Sequence, residues 1–420
     1  MAESNLNNEP QSPQDGGGNK LQKVVVNAPE NDSVSLYQVL DDFHIEVPSR
    51  DIHGRVKRVV SKLSEKTVKA KYTELYIKGI PFFESECCIP EHKNYLSFMG
   101  TSKNIYAPLD IKPQQGNCYT WVKFIRHIGQ GQYEILLTYL IVMFQYPVKK
   151  LPILCLVSEE NATGKSTFAN KIAYLLGRNA GFYSQSDLES QFNIWVMNLL
   201  AVFEEIHDTK KVAGKLKDIS TSKQTTVNRK GMQQFQFEPF VKIFIISNNE
   251  DTCIQLNEND NRYLVLKVPP IPKEDFDIDF EKKLDKEASA MLWYLLNTEP
   301  TIKEQSRMWF PLDMLRTKQL DIMVEANKSD LYHSIRIATM ELMDEIRRDL
   351  YVRVKDLEAL LHYKYSVSQI STSLRKEFKM KPTEKTVRWL PYYGNEQETD
   401  KITGQPYVFK YENNDESADM

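Results

Sequence analysis

The residues best placed to do chemistry lie in one run, Ser158-Glu159-Glu160-Asn161-Ala162-Thr163-Gly164-Lys165-Ser166-Thr167. It follows the apolar segment Leu151–Val157 and precedes the helix-like segment Phe168–Leu176. Strand, loop ending in Gly-Lys-Ser, then helix is the grammar of a phosphate-binding loop. The backbone N–H groups of Asn161, Ala162, Thr163, Gly164, Lys165, Ser166 and Thr167 would line a concave anion site at a helix N-terminus. Lys165 would reach the β- and γ-phosphates of a nucleotide, and the Ser166 hydroxyl would ligate Mg²⁺. One position departs from the consensus: Glu159 stands where the first Gly belongs. Asn161 supports unusual backbone dihedrals, and a Glu side chain near phosphates is expected to point away.

Further groups of the right chemistry follow in order. The apolar run Leu199–Phe203 ends in Glu204-Glu205. A carboxylate at the tip of the strand next to the loop strand would hold the Mg²⁺ shell, and a second would polarise water. Glu204 suits the first role and Glu205 the second. The run Ile243–Ile246 leads into Ser247-Asn248-Asn249, where the Asn248 amide would sense a γ-phosphate. Arg262 just precedes the strand-like Tyr263–Val268. It would either pair with Asp260 or project into a neighbouring subunit's site. Thr225–Val227 and Phe235–Phe237 flank a polar tip with Arg229 and Lys230, a hairpin that would place cations against a single nucleic-acid strand.

These groups need elements to hold them. Near-continuous apolar strands at Ile153–Val157, Leu199–Glu204, Lys242–Ser247 and Tyr263–Val268, separated by helical stretches, predict a buried parallel sheet with helices on both faces. This α/β block spans residues 149–310. Residues 1–22, rich in Asn, Gln, Pro and Gly, and the acidic residues 412–420 read as disordered tails. Residues 23–148 are predicted to be mostly helical: Val56–Lys71 has helical spacing, and Cys118–Tyr146 reads as two helices broken near Gly129-Gln130-Gly131. Residues 329–411 read as a long helix, a short strand, two short helices and a hairpin of Val387–Tyr393 with Pro406–Tyr411, a winged-helix pattern. Its second helix and the following segment carry Arg375, Lys376, Lys379, Lys381, Lys385 and Arg388, which form either a solvated basic face or a DNA-backbone contact.

Composition sets bounds on this reading. The chain has 420 residues, 41% hydrophobic and 26% charged, as expected of a globular protein of two or three domains. A net charge of −3 does not advertise nucleic-acid binding, although a ring needs positive charge only along its channel. Five cysteines without paired metal-type spacing, and no apolar leader or membrane-length segment, predict a cytoplasmic protein with no membrane partner.

The order of motifs resembles the superfamily 3 helicases, AAA+-related hexameric motors of DNA viruses, phages and plasmids. It is closest to the helicase part of phage- and poxvirus-type primase-helicases. Ser190-Gln191-Phe192-Asn193, Asn228-Arg229-Lys230-Gly231, Ser247-Asn248-Asn249-Glu250 and Arg307-Met308-Trp309-Phe310 support the likeness, which covers Tyr106–Phe310. The resemblance implies an AAA+-like P-loop ATPase of the α/β class with ATP and Mg²⁺ as cofactors. It makes Lys165 and Ser166 the phosphate and Mg²⁺ ligands, Glu204 and Glu205 the paired acids, Asn248 the polar sensor, Arg262 a finger acting in trans, and Arg229 and Lys230 the DNA-contacting pair. It further implies a homo-hexamer working on single-stranded or forked DNA in phage, prophage or plasmid replication, in the bacterial host cytoplasm. Relatives often carry a primase domain. Here the short N-terminal block shows no primase acids, so a separate primase or other replication proteins are the expected partners. Two other classes share the nucleotide motifs: an AAA+ loader or initiator that uses ATP as a switch, and a P-loop small-molecule kinase.

Overall fold

The computed structural model describes residues 34–50, 56–206, 212–229, 234–256, 260, 262–390, 392–393, 396–397 and 401–411. Both expected tails and Lys230 lie outside these residues.

The N-terminal block departs from the helical expectation. β1 (Ser35–Val39), β2 (Asp42–Arg50) and β3 (Val56–Leu63) form an antiparallel meander. β4 (Phe82–Phe83) adds to β1 in parallel, after the short helices α1 (Glu65–Lys71) and α2 (Glu74–Lys78), capped by the Ser64 and Thr73 hydroxyls. The apolar residues Val56, Val59, Val60 and Leu63 do recur at helical spacing, but β-branched valines favour extended backbone. Pairing with β2 over eight residues, from Phe43↔Leu63 to Arg50↔Val56, decides the outcome. Only Glu65–Lys71 of the expected helix is helical. A second small sheet follows, of β5 (Ser85–Cys87), β6 (Phe98–Met99) and β7 (Ser102–Asn104) in the order β5-β7-β6.

Two helices then dock on the central sheet: α3 (Tyr119–Gly129) and α4 (Tyr133–Gln145), with a single 3-10 turn at Gln130–Gln132 between them. α4 is buried on every side from Ile135 to Phe144, as expected of a helix with no polar face.

The central sheet contains β8 (Ile153–Val157), β9 (Ala180–Tyr183), β10 (Leu200–Glu204), and, after the hairpin of β11 (Thr225–Val227) and β12 (Phe235–Phe237), β13 (Lys242–Ser247) and β14 (Tyr263–Lys267). The order is β14-β8-β13-β10-β9, and every pairing is parallel. The loop strand β8 is therefore central, and β13, not β10, lies beside it. The carboxylate strand is two places away, which corrects the expectation of direct adjacency. Side chains alternate between two cores. Leu154, Leu156, Phe244 and Leu264 pack with α3, α4, α5 (Lys165–Leu176) and later α8 (Phe280–Asn297). Ile153, Cys155, Val157, Phe203, Ile245 and Val265 pack on the other face. That face is covered by Leu188 of α6 (Gln185–Glu189), by Leu216 of α7 (Ala213–Thr221), and, beyond α9 (Leu312–Leu315), by Leu320 and Met323 of α10 (Lys318–Ala326).

The C-terminal block runs α11 (Asp330–Ile346), β15 (Leu350–Val352), α12 (Val354–Leu360), α13 (Val367–Lys376), then β16 (Val387–Trp389), β17 (Tyr392–Tyr393), β18 (Glu396–Gln397), β19 (Ile402–Gly404) and β20 (Tyr407–Phe409). The expected hairpin is redistributed. β16 pairs with β19, whereas β20 crosses back to β15, placing Phe409 opposite Leu350. Burying Phe409 with Leu350, Val352, Leu357 and Leu374 in one core favours that register.

Candidate active site at the carboxyl edge of the central sheet

All strands of the sheet are parallel, so their C-terminal ends share one edge, where α/β folds place ligands. Here β8 ends at Val157 and the chain enters the loop of residues 158–164. Two residues of the loop take left-handed backbone, Ala162 at φ 56° and Gly164 at φ 87°. Gly164 also lies under a ring: a Cβ there would meet Phe124 Cε2 at 2.9 Å. α5 starts at Lys165, and its own first-turn N–H groups face the loop.

The loop is tethered from outside. Ser158 N–H donates to Ser247 O at 3.3 Å, Ile271 N–H donates to Ala162 O at 3.1 Å, and His127 Nε2 lies 3.0 Å from Thr163 O. Glu159 N–H donates to Glu250 Oε1 at 3.0 Å. Lys165 is buried, and its Nζ donates to Ser158 O at 3.0 Å across the loop. Burial pulls its pKa below the ordinary lysine value, and the Glu250 charge counters part of that. Ser166 is exposed at the start of the helix, Asn161 and Ala162 are exposed on the loop, Thr163 is buried and Thr167 is half-buried.

The other predicted groups reach the same edge. Glu204, half-buried, closes β10 at the level of Ile246 on β13. Ser247 in turn lies level with Val157 on β8. Two strand spacings separate Glu204 from the loop strand, about 10 Å, enough for a phosphate and a hydrated cation. Glu205 adopts φ 54°, uncommon for a non-glycine residue. Its N–H is held by Ile246 O at 3.0 Å, so its exposed side chain is turned off the strand. Glu159, Glu205, Ser247, Asn248, Asn249, Asp251 and Thr252 line one cavity of about 590 Å³. Glu159 thus stands on the wall of that cavity, exposed, with its backbone committed to Glu250.

Arg262 lies elsewhere. It precedes β14, and its carbonyl accepts from Ile153 N–H at the start of β8, at the amino edge of the sheet. Five residues of strand, about 16 Å, separate it from the loop. Its guanidinium makes two bonds to the buried Asp260, Nε to Oδ1 at 2.6 Å and Nη2 to Oδ2 at 3.0 Å, and Lys217 approaches the same carboxylate at 3.5 Å.

β11 and β12 form the expected hairpin, with Val227 opposite Phe235. Asn193 fastens its base, accepting from Asn228 N–H at 2.8 Å and donating to Thr226 O at 2.9 Å. Arg229 leaves the hairpin to pair with Glu86 of β5 at 3.2 Å and lies over the Phe235 ring at 4.9 Å. In the C-terminal block Arg375, Lys376, Lys379, Lys381, Lys385 and Arg388 are all exposed, and Arg375 and Lys376 lie in the last turn of α13. Asp277 and Asp279 pair with Lys283 and Lys282 on the surface.

The motif order includes Glu250 only as the end of Ser247-Asn248-Asn249-Glu250 and does not reveal its contact with the loop, nor those of Phe124 and His127, which come from a distant element to support it. Glu250 is only 7% exposed although it follows two asparagines in what reads as a polar turn.

Residues 156–262 match a family described as of unknown function (DUF5906). That span begins on β8 and ends at Arg262, so it takes in the loop, the Glu pair, the hairpin and Asn248. No curated protein sequence matches the chain. Among solved structures, the fold is similar to an apo structure of the NrS-1 C-terminal region, residues 305–718. The TM-score is 0.59 at 13% identity, covering 90% of this chain and 96% of that one. An A-form apo structure of the same region gives a TM-score of 0.58 at 13% identity, covering 90% and 97%. At this identity the likeness is one of fold: a parallel sheet with flanking helices and short C-terminal strands.

Proposed function

We propose that the chain is an ATP-dependent DNA helicase of the superfamily 3 type, an AAA+-like motor that couples hydrolysis to movement along single-stranded DNA. What carries this reading is the convergence of the Gly164-Lys165-Ser166 loop, the Glu204-Glu205 pair and Asn248 on one sheet edge, where Glu159, Glu205 and Asn248 line one cavity. The left-handed Ala162 and Gly164, with no room for a side chain at Gly164, turn the loop toward the start of α5, and this fits a phosphate chain. Ser166 and Glu204 would hold Mg²⁺, which binds through one or two carboxylates together with phosphates and water. Bound with the nucleotide, Mg²⁺ supplies charge neutralisation at the phosphoryl oxygens.

The chain's own groups then divide the work. Lys165, resting on the Ser158 carbonyl, exchanges that acceptor for phosphate oxygens. Glu205, turned off its strand, accepts the proton of the attacking water, and the Asn248 amide orients that water. Arg262 is read as a finger that serves the neighbouring subunit, which calls for a ring, here a hexamer. Arg229 and Lys230 on the hairpin, and Arg375, Lys376 and Lys379 on a winged-helix-like C-terminal block, are read as contacts to the DNA backbone.

The test is hydrolysis and strand displacement by the full chain. Lys165→Ala is expected to abolish ATP hydrolysis while circular dichroism stays unchanged. The wild type is expected to hydrolyse faster with single-stranded DNA and to separate a forked duplex. ATP hydrolysis without displacement under any DNA geometry would reject the motor in favour of a loader. No hydrolysis by the wild type would reject the ATPase.

A further inference from the structure

The missing glycine of the phosphate loop has a structural counterpart that the motif order does not reveal. In the consensus, the first Gly relaxes the turn out of the strand. Here Glu159 has no such freedom, and the turn is held by an acceptor instead. Glu250 comes off the end of β13 and folds inward until it is 7% exposed. One carboxylate oxygen takes the Glu159 N–H at 3.0 Å, and the other takes Lys267 Nζ, at the tip of β14, at 2.6 Å. Gln319 of α10 pins the Glu250 backbone carbonyl from behind at 2.8 Å. These contacts join the strand ends on either side of β8, and the loop entry lies between them. Among the described residues, Glu250 is the one outside tether of the loop that sets a carboxylate on a backbone N–H, the stronger kind of hydrogen bond. Burial acts to raise its pKa, but the Lys267 ammonium, the Glu159 N–H and the Lys165 charge together hold the carboxyl below the usual glutamate range.

We infer that Glu250 is a positioning residue for nucleotide binding: its carboxylate, oriented by Lys267 and Gln319, seats Glu159 and so substitutes for the first glycine of the phosphate loop. This rests on the ATP reading given above. Glu250 does not touch the phosphates. It commits the Glu159 N–H to protein, as Ser247 O and the Ser158 hydroxyl do for the N–H groups of Ser158 and Glu160, and the Glu159 side chain stands at the cavity wall. A group acting this way affects binding of ground and transition state alike, so its loss raises KM and spares kcat.

The experiment is steady-state ATP hydrolysis with Mg²⁺, paired with equilibrium binding of a non-hydrolysable ATP analogue, on the full chain. Glu250→Ala removes the acceptor of a charge-assisted bond and is expected to raise KM and the analogue Kd about tenfold or more, with kcat changed less than about threefold. Glu250→Gln keeps an acceptor for the Glu159 N–H and is expected to recover both constants to within about threefold of wild type. Lys267→Met, which frees the carboxylate to swing, is expected to fall between the two. A merely structural role would lower the melting temperature of Glu250→Ala and Glu250→Gln equally and would not separate them in KM. Wild-type-like KM in Glu250→Ala, or equal damage in the Ala and Gln variants, overturns the inference. Should Glu250→Ala fail to fold, the Lys267→Met and Glu250→Gln constants decide it by the same ordering. A folded wild type that binds no analogue overturns the ATP reading itself, a result distinct from wild-type binding that Glu250→Ala leaves unchanged.

Discussion

Gly164→Ala puts the loop geometry to a quantitative test. The residue sits at φ 87°, and left-handed backbone costs an L-residue roughly 1–2 kcal/mol. The added methyl would also lie 2.9 Å from Phe124 Cε2. That ring has nowhere to go. It is 2% exposed and packs edge-on against Phe168, with ring centres 5.9 Å apart, and against Phe280 at 5.0 Å. Overpacking a fixed core costs about 1–3 kcal/mol, so the two effects together destabilise by about 2–5 kcal/mol. Gly131 is the internal control. It is exposed, and its Cβ would meet nothing within 4 Å, so Gly131→Ala should change stability by less than about 1 kcal/mol. Urea unfolding followed by tryptophan fluorescence measures both, with ATP-analogue binding measured in parallel. Gly164→Ala is expected to unfold at lower urea and to lose analogue binding, because the loop must shift to relieve the ring contact. Equal stabilities for the two variants, or intact binding in Gly164→Ala, would refute the argued loop conformation.

Further outcomes follow from the same geometry. If Arg262 works in trans, Arg262→Ala should lower DNA-stimulated hydrolysis by about 10³-fold or more. Mixing it with Lys165→Ala chains should restore activity at interfaces that pair an intact Lys165 with an intact Arg262, about a quarter of them in an equimolar mixture; no recovery at any ratio would exclude a trans role. His92 donates Nδ1–H to Phe144 O at 2.8 Å and accepts from Tyr106 OH at 2.6 Å. Burial pulls its pKa from 6.5 to about 4, with Lys242 lowering it further and Glu91 and the Phe144 bond opposing. The unfolded chain therefore binds the extra proton between these values. His92 contributes its stability above pH 6.5 and loses about 3 kcal/mol as pH falls through 6.5 to 4. Thermal melts across that window should slope less steeply in His92→Gln, and parallel slopes would contradict the assignment.

How far the site can be read from the sequence depends on how local each determinant is. Gly164-Lys165-Ser166, the Glu204-Glu205 end of a buried strand and the hairpin from Thr225 to Phe237 are set by neighbours within a few residues, and each lies where its pattern puts it. Strand order is not local: nothing in Leu200–Glu204 says that β13 intervenes before β8. β9 carries too little signal, four residues that include Gly181, whose missing side chain leaves room for Tyr183 OH and Asn198. Val56–Leu63 fits both a helix and a strand, and the partner strand β2 decides. β20 leaves its expected hairpin for β15 because a three-residue strand is placed by the core it can enter. Glu250 is hidden for a related reason, since its partners are 91 residues upstream and 17 downstream.

The charge around the cavity bears on the choice among the proposed nucleotide-using classes. Among the described residues, the cavity wall offers carboxylates from Glu159, Glu205 and Asp251, amides from Asn248 and Asn249, and hydroxyls from Ser247 and Thr252, but no lysine or arginine. The nearby cations are Lys165, which belongs to the loop, and Lys267, which is committed to Glu250. Phosphoryl transfer develops charge that Mg²⁺ and one lysine share only in part, and enzymes of this kind bring an arginine to it. A self-contained small-molecule kinase would need that arginine at the carboxyl edge of its own sheet. Here Arg262 precedes a parallel strand and is therefore confined to the opposite edge, about 16 Å away. Its fork is aligned by a buried Asp260, which makes it a preorganised donor. Under the proposed ATP reading, an acid-rich site at one edge and an oriented arginine at the other would meet only between two chains. The mixing experiment therefore discriminates between the proposed assembly of like subunits and a monomeric kinase.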